Sequence, residues 1–350
     1  MYSEMFMRLK RIQKLDSHRP LRRGRFIFCL SCSLALLGMI APELPKNDPP
    51  HPPLQRGDAR IYNIQIQVQN KLRTTGWPML PHTNWSQLDV DSVGVSDATS
   101  KDIPFTAQET TADPKQWQLQ IQQKDYTVHF RALAFSSELD NRVASSIPWP
   151  KEWEASVSEY VQPSKFIESG DSIFVDAVRD NGDPRSVPVH IAAKVLIRYC
   201  LQNIESTGRY THSKGSITTG IDVKGARRAV RDGKGSAADL VCVCVATLRA
   251  AGIPARPVVG ITNADTVGTL TVDPHYMVWG EYALPGAGWV PFVPKRMRGT
   301  VDGLSTTQPW QGLGTLPWLN RRIPLAYNFN CGDIDRGTQN LQMIFISSPK

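Results

Sequence analysis

From Arg60 onward, apolar and polar positions alternate: Ile64, Ile66 and Val68 with Gln between them, then Trp117, Leu119 and Ile121, then Tyr126, Val128 and Phe130. A period of two places successive side chains on opposite faces, so these runs predict strands of a sheet with one wet face. The β-rich stretch is expected over 59–150, closing near Pro148-Trp149-Pro150. The period then changes. Val189, Ala193, Leu196, Cys200 and Ile204 follow helical spacing after Pro188, which predicts an amphipathic helix over 188–204. A second helix is expected from Ala237 to Ala251. Its Leu240-Val241-Cys242-Val243-Cys244-Val245 centre is apolar all round and so predicts burial on every side. Gly252 stops it and Pro254 forbids its continuation. Val258–Thr262, Tyr276–Leu284 and Trp289–Phe292 read as strands, the last two joined by the turn Pro285-Gly286-Ala287-Gly288.

The start of the chain has another character. Residues 1–25 hold eight Lys or Arg against two Asp or Glu, and 26–41 carry no charge at all. Sixteen helical residues span about 24 Å, which suits a signal h-region or a short anchor. The reading is a basic cytoplasmic segment (1–25), a signal or anchor helix (26–41), and a linker with six prolines (42–58), with all that follows outside the cytoplasmic membrane. The formal charge of +8 falls to +2 once that basic start is set aside, which argues against a nucleic-acid partner.

Six cysteines in 350 residues make no disulfide scaffold, and no pair has zinc-ligand spacing. Neither a metal nor a cofactor is expected. Lys224, Arg227, Arg228, Arg231 and Lys234 form a basic stretch, read as a solvated loop that an anionic polymer or lipid headgroup would meet only in a second reading.

Four pieces then occur in order: Gly235-Ser236-Ala237-Ala238-Asp239-Leu240; Leu248-Arg249-Ala250-Ala251-Gly252-Ile253-Pro254-Ala255-Arg256; Trp279-Gly280-Glu281-Tyr282; and Gly288-Trp289-Val290-Pro291. Together they resemble the transglutaminase-like superfamily, whose helix opens G-x-C, runs to LLR-x-x-GIPAR, and is followed by H-x-W-x-E and GW-x-x-x-D-P. Tyr160 to Ile167 is similar to the lead-in of the bacterial members, and Ile323-Pro324-Leu325-Ala326-Tyr327 with Asp333-Ile334 to their closing segment. The resemblance implies an α+β fold: a papain-like core over 155–345, a central buried helix on an antiparallel sheet, preceded by a small β-rich domain.

It also implies a Cys-His-Asp triad performing acyl transfer or peptide cleavage. A cysteine at a helix N-terminus is favoured as thiolate, an imidazole exchanges its proton, and a carboxylate orients the imidazole. Position by position, this chain has Ala237 for the Cys, Met277 for the His and Val293 for the Asp. None of these does that chemistry. Cys242 lies about 140° around the helix from Ala237, and Cys244 about 10.5 Å deeper. His275, two residues before Met277 on the same strand face, is a candidate rim residue whose plain reading is an exposed loop histidine. Three hypotheses follow. The first is a membrane-tethered pseudoenzyme that binds or scaffolds, with a protein or cell-envelope polymer as partner. The second is an active thiol peptidase or acyltransferase with a relocated site. The third is an interaction module in which the β region does the work.

Overall fold

The computed structural model describes residues 52–70, 76–110, 116–214, 217–263 and 274–349. The basic segment 1–25, the apolar run 26–41 and the proline-rich stretch to His51 lie outside the described residues. The strands are β1 (Leu54–Gln69), β2 (Trp77–Met79), β3 (Ser86–Ser96), β4 (Phe105–Glu109), β5 (Trp117–Ile121), β6 (Asp125–Leu139), β7 (Glu205–Ser206), β8 (Thr211–Lys214), β9 (Ile217–Ile221), β10 (Lys234–Gly235), β11 (Ala255–Thr262), β12 (His275–Leu284), β13 (Gly288–Phe292), β14 (Arg322–Tyr327) and β15 (Thr338–Ser347). The longer helices are α1 (Ser172–Asp180), α2 (Val189–Asn203), α3 (Ala226–Asp232) and α4 (Ala237–Ala250).

The alternation read along β1 is the alternation observed. Ile64, Ile66 and Val68 are buried, and Gln65, Gln67 and Gln69 are exposed. The strand starts at Leu54, so the last five residues of the expected linker belong to the sheet. β1 pairs with β6 on one side and with β15 on the other, in a six-stranded antiparallel sheet of order β3-β6-β1-β15-β9-β8. The β-rich region is therefore completed by strands from much later in the chain. Pairing at 338–347 carries no local signal, because it joins residues more than 260 apart in sequence, such as Tyr62 and Phe345.

A second sheet, β13-β12-β11-β14, is antiparallel and buried on both faces along most of its length. α4 packs against β11 and β12, with α1, α2 and α3 around it. Every side chain from Ala237 to Arg249 is buried, as its all-round apolar pattern predicts. At its end Gly252 takes a left-handed φ of +80°, and the N–H groups of Gly252 and Ile253 bond to the carbonyls of Arg249 and Leu248. That closes the helix as glycine caps do. The architecture is α+β, helices packed on antiparallel sheets, with one apolar core running through both the β-rich region and the helical core.

The basic stretch differs from expectation. Most of it is the helix α3, not a loop, with Ala226 and Ala229 buried and Arg227, Arg228 and Arg231 facing solvent. The small alanines supply the inward face, and a basic solvent face is what the long side chains permit.

Candidate functional site

The N-terminus of α4 is built around one carboxylate. Ser236 is the N-cap, and its Oγ accepts from the Asp239 N–H at 2.9 Å while Asp239 accepts from the Ser236 N–H at 2.9 Å, a reciprocal capping box. The second Asp239 oxygen accepts from the N–H groups of Lys224 (2.7 Å) and Gly225 (3.0 Å). A carboxylate three residues into a helix stabilises the first turn through the helix dipole. The structure adds that Asp239 holds the incoming loop as well. Ala237, directly after the cap, is 1% exposed, and its N–H bonds to the Arg209 carbonyl at 2.7 Å.

Met277 sits on β12 opposite Gly260 of β11, on the same strand face as Trp279 and Glu281, and is 2% exposed. Val293 follows β13, is 1% exposed, and donates its N–H to the Gly312 carbonyl at 2.8 Å. All three belong to the same continuous apolar core. His275 opens β12 opposite Thr262 and is partly buried.

The thiols beside this position are enclosed. Cys242 and Cys244 are fully buried, and loss of solvation pushes both well above the ordinary thiol range. Negative charge on Asp239 and Glu168 adds to the effect at Cys242. The Cys200 thiol, on α2, lies 3.3 Å from Thr247 Oγ1 of α4. Cys331 is buried and shifted upward in the same way.

Two buried cations hold the frame. Arg249, near the end of α4, donates to the carbonyls of Ala255 (2.6 Å) and Gln162 (2.7 Å), to Ser164 Oγ (3.0 Å) and to Asn328 Oδ1 (3.0 Å). One side chain thus joins the helix to the lead-in segment and to the end of β14. Burial lowers its guanidinium to about 10. Arg256 pairs with Glu281 across the β11–β12 rung.

One buried polar group was not singled out by the sequence reading. His190 Nδ1 lies 2.5 Å from the Tyr282 hydroxyl, and Nε2 lies 3.1 Å from Asn141 Oδ1. Lys194 Nζ donates to Asn141 Oδ1 (2.6 Å) and to the carbonyls of Thr306 (3.0 Å) and Gln308 (2.7 Å). Burial lowers His190 to about 3, helped by the Lys194 charge, and lowers Lys194 to about 8. The available signal was an i, i+4 pair of polar residues inside a predicted amphipathic helix. The network fastens α2 to β12 and to the 304–310 loop. Among the described residues no cluster of three or more His, Cys, Asp or Glu is placed to hold a metal ion, and no helix is long and apolar enough to cross a membrane.

Comparison with known proteins agrees with this geometry. Residues 184–294 match the model of the Transglutaminase-like superfamily, covering α2 through β13. The crystal structure of a proposed cysteine protease from Cytophaga hutchinsonii aligns at a TM-score of 0.54 with 12% identity, over 85% of this chain and 94% of that one. The periplasmic domain of TgpA from Pseudomonas aeruginosa aligns at 0.33 with 14% identity, over 66% of this chain and 86% of that one. No curated protein matches the chain. The family match is confined to 184–294, where the helical core and its sheet resemble the transglutaminase-like superfamily. At 12% identity the Cytophaga likeness is one of fold.

Proposed function

We propose that this protein is a transglutaminase-like pseudoenzyme, a binding or structural module that keeps the fold and has lost its triad. We place it outside the cytoplasmic membrane, tethered through 26–41. The observation that carries this reading is the filling of all three triad positions, Ala237, Met277 and Val293, by buried side chains of one apolar core. A thiolate needs a polar, cation-rich or helix-terminal setting, whereas Cys242 and Cys244 sit deeper in apolar surroundings. The basic and apolar start of the chain supports the tether.

The deciding experiment is iodoacetamide labelling of the folded full chain at neutral pH, read by peptide mapping. Cys242 and Cys244 are expected to label only after denaturation. Fast labelling of either in the folded chain overturns the pseudoenzyme reading in favour of a relocated thiol site. For the tether, the expected result is a chain that stays with membranes in high salt and leaves them in detergent. Release by salt alone overturns that part.

A further inference from the structure

The outward face of the six-stranded sheet carries a groove of about 610 Å³, remote in sequence from the triad positions. Its floor is built by register. Gln65 of β1 lies opposite Gln342 of β15 on one side and His129 of β6 on the other. Asn63 lies opposite Ile344 and Arg131 in the same way. The alternate residues Ile64, Ile66, Val128, Phe130, Leu341 and Met343 are buried, so both rungs point away from the core.

The wall of the groove is an ordered piece of β3 and the loop after it. The β3–β6 ladder slips between Asp89 and Gly94, and Ser92 fills the gap. Its Oγ donates to the Asp89 carbonyl at 2.6 Å and accepts from the Arg131 N–H at 2.7 Å. Beyond it the Asp97 carboxylate accepts from the N–H groups of Thr99 (2.8 Å) and Lys101 (3.0 Å), which folds the loop back against the sheet. Gly94 pairs with His129, and a Cβ there would lie 2.1 Å from the imidazole Nε2. A glycine at this position leaves room for the His129 ring beside the groove.

The lining carries no excess of positive charge. Arg131 is matched by Asp89 at 3.5 Å, and Asp102, bridged to Ser96 at the end of β3, adds a carboxylate. The rest of the lining is side-chain amides, serine hydroxyls and one imidazole, with Ile344 as an apolar patch. Each amide presents both donors and an acceptor, the set that neighbouring hydroxyls require. A row of unpaired cations, which a nucleic acid or anionic polymer needs, is missing from this lining. The feature is a sheet face and not an edge, so an added strand finds no backbone groups to pair with. We propose that this groove binds an uncharged glycan chain, its hydroxyls on Asn63, Gln65 and His129 and a sugar-ring face on Ile344. The site is separate from the closed triad position, and its test is independent of the labelling experiment.

The experiment is calorimetric titration of the full chain, held in a detergent without a sugar headgroup. The probes are the hexamer of N-acetylglucosamine and cellohexaose. Saturable binding of at least one hexamer is expected, weakened about tenfold or more by Gln65→Ala, a loss a single lost anchor produces. Gly94→Ala, which pushes the His129 ring out of place, is expected to weaken it too. Because Gln65 is exposed, its variant should unfold at the wild-type temperature, and Asn63→Ala serves as a second probe if it does not. Three results overturn the proposal: no binding of either hexamer tighter than about 1 mM, equal binding by wild type and both groove variants, or salt-sensitive binding of heparin alone. Self-association abolished by Gln65→Ala, with no hexamer bound, overturns it in favour of a second copy of the chain.

Discussion

Arg256 Nε and Nη2 lie 2.9 and 2.8 Å from the same carboxylate oxygen of Glu281, in the interior of the β11–β12 sheet. The guanidinium is stacked between aromatic rings, its carbon 3.8 Å from the centre of Tyr327 and 3.9 Å from that of Trp289. Nη2 also donates to the Tyr327 hydroxyl at 3.1 Å. This pair ties β11 to β12, while Arg249 ties the end of α4 to the carbonyl of Gln162 and to Asn328.

Removing one member of such a pair leaves the other charge buried without its partner. Glu281→Leu is therefore expected to lower unfolding free energy by about 3–5 kcal/mol. The double replacement Arg256→Met with Glu281→Leu should cost less than Glu281→Leu alone. Urea unfolding of the three proteins measures it. A single variant within about 1 kcal/mol of wild type would mean that the pair does not hold the sheet.

Asp239 satisfies three backbone donors at once, those of Ser236, Lys224 and Gly225. Asp239→Ala is expected to cost about 3 kcal/mol, from a lost cap together with buried amides left unpaired. Asp239→Asn, which keeps acceptor oxygen on one side only, should fall between. Thermal unfolding followed by circular dichroism reads both. Equal losses for the two variants would show that the single acceptor oxygen kept by Asn contributes nothing.

His190 titrates at about 3 in the folded chain against 6.5 when free, because burial penalises its charged form. Kept neutral, it donates from Nε2 to Asn141 and accepts at Nδ1 from Tyr282. The unfolded chain binds the extra proton, so this stabilisation is fully present above pH 6.5 and is lost as pH falls toward 3. The full effect is on the order of 4 kcal/mol. Unfolding of wild type and His190→Gln, compared near neutrality and near pH 4.5, should show wild type losing about 2–3 kcal/mol more on acidification. Identical losses would remove His190 from the acid response.

The sequence alone determined the elements whose signal is local. The glutamine-spaced alternation of β1, the apolar centre of α4, its Gly252 stop and the hairpin of β12 and β13 are all legible, because side-chain period and backbone permission act over a few residues. The resemblance to a known family, read from motifs in the same stretch, gave the expectation that Ala237, Met277 and Val293 stand at triad positions. Tertiary structure decided what no window of residues contains. It paired β15 with β1 and placed β8 and β9 beside them. It turned Asp239 from a first-turn charge into the clasp of a loop, and it drew His190, Tyr282, Lys194 and Asn141 into one buried network. It also set Gln65 between Gln342 and His129 on a single face. These contacts depend on closing long loops, whose reward comes only when distant apolar faces meet, so their partners are chosen by the assembled core and not by the neighbouring sequence.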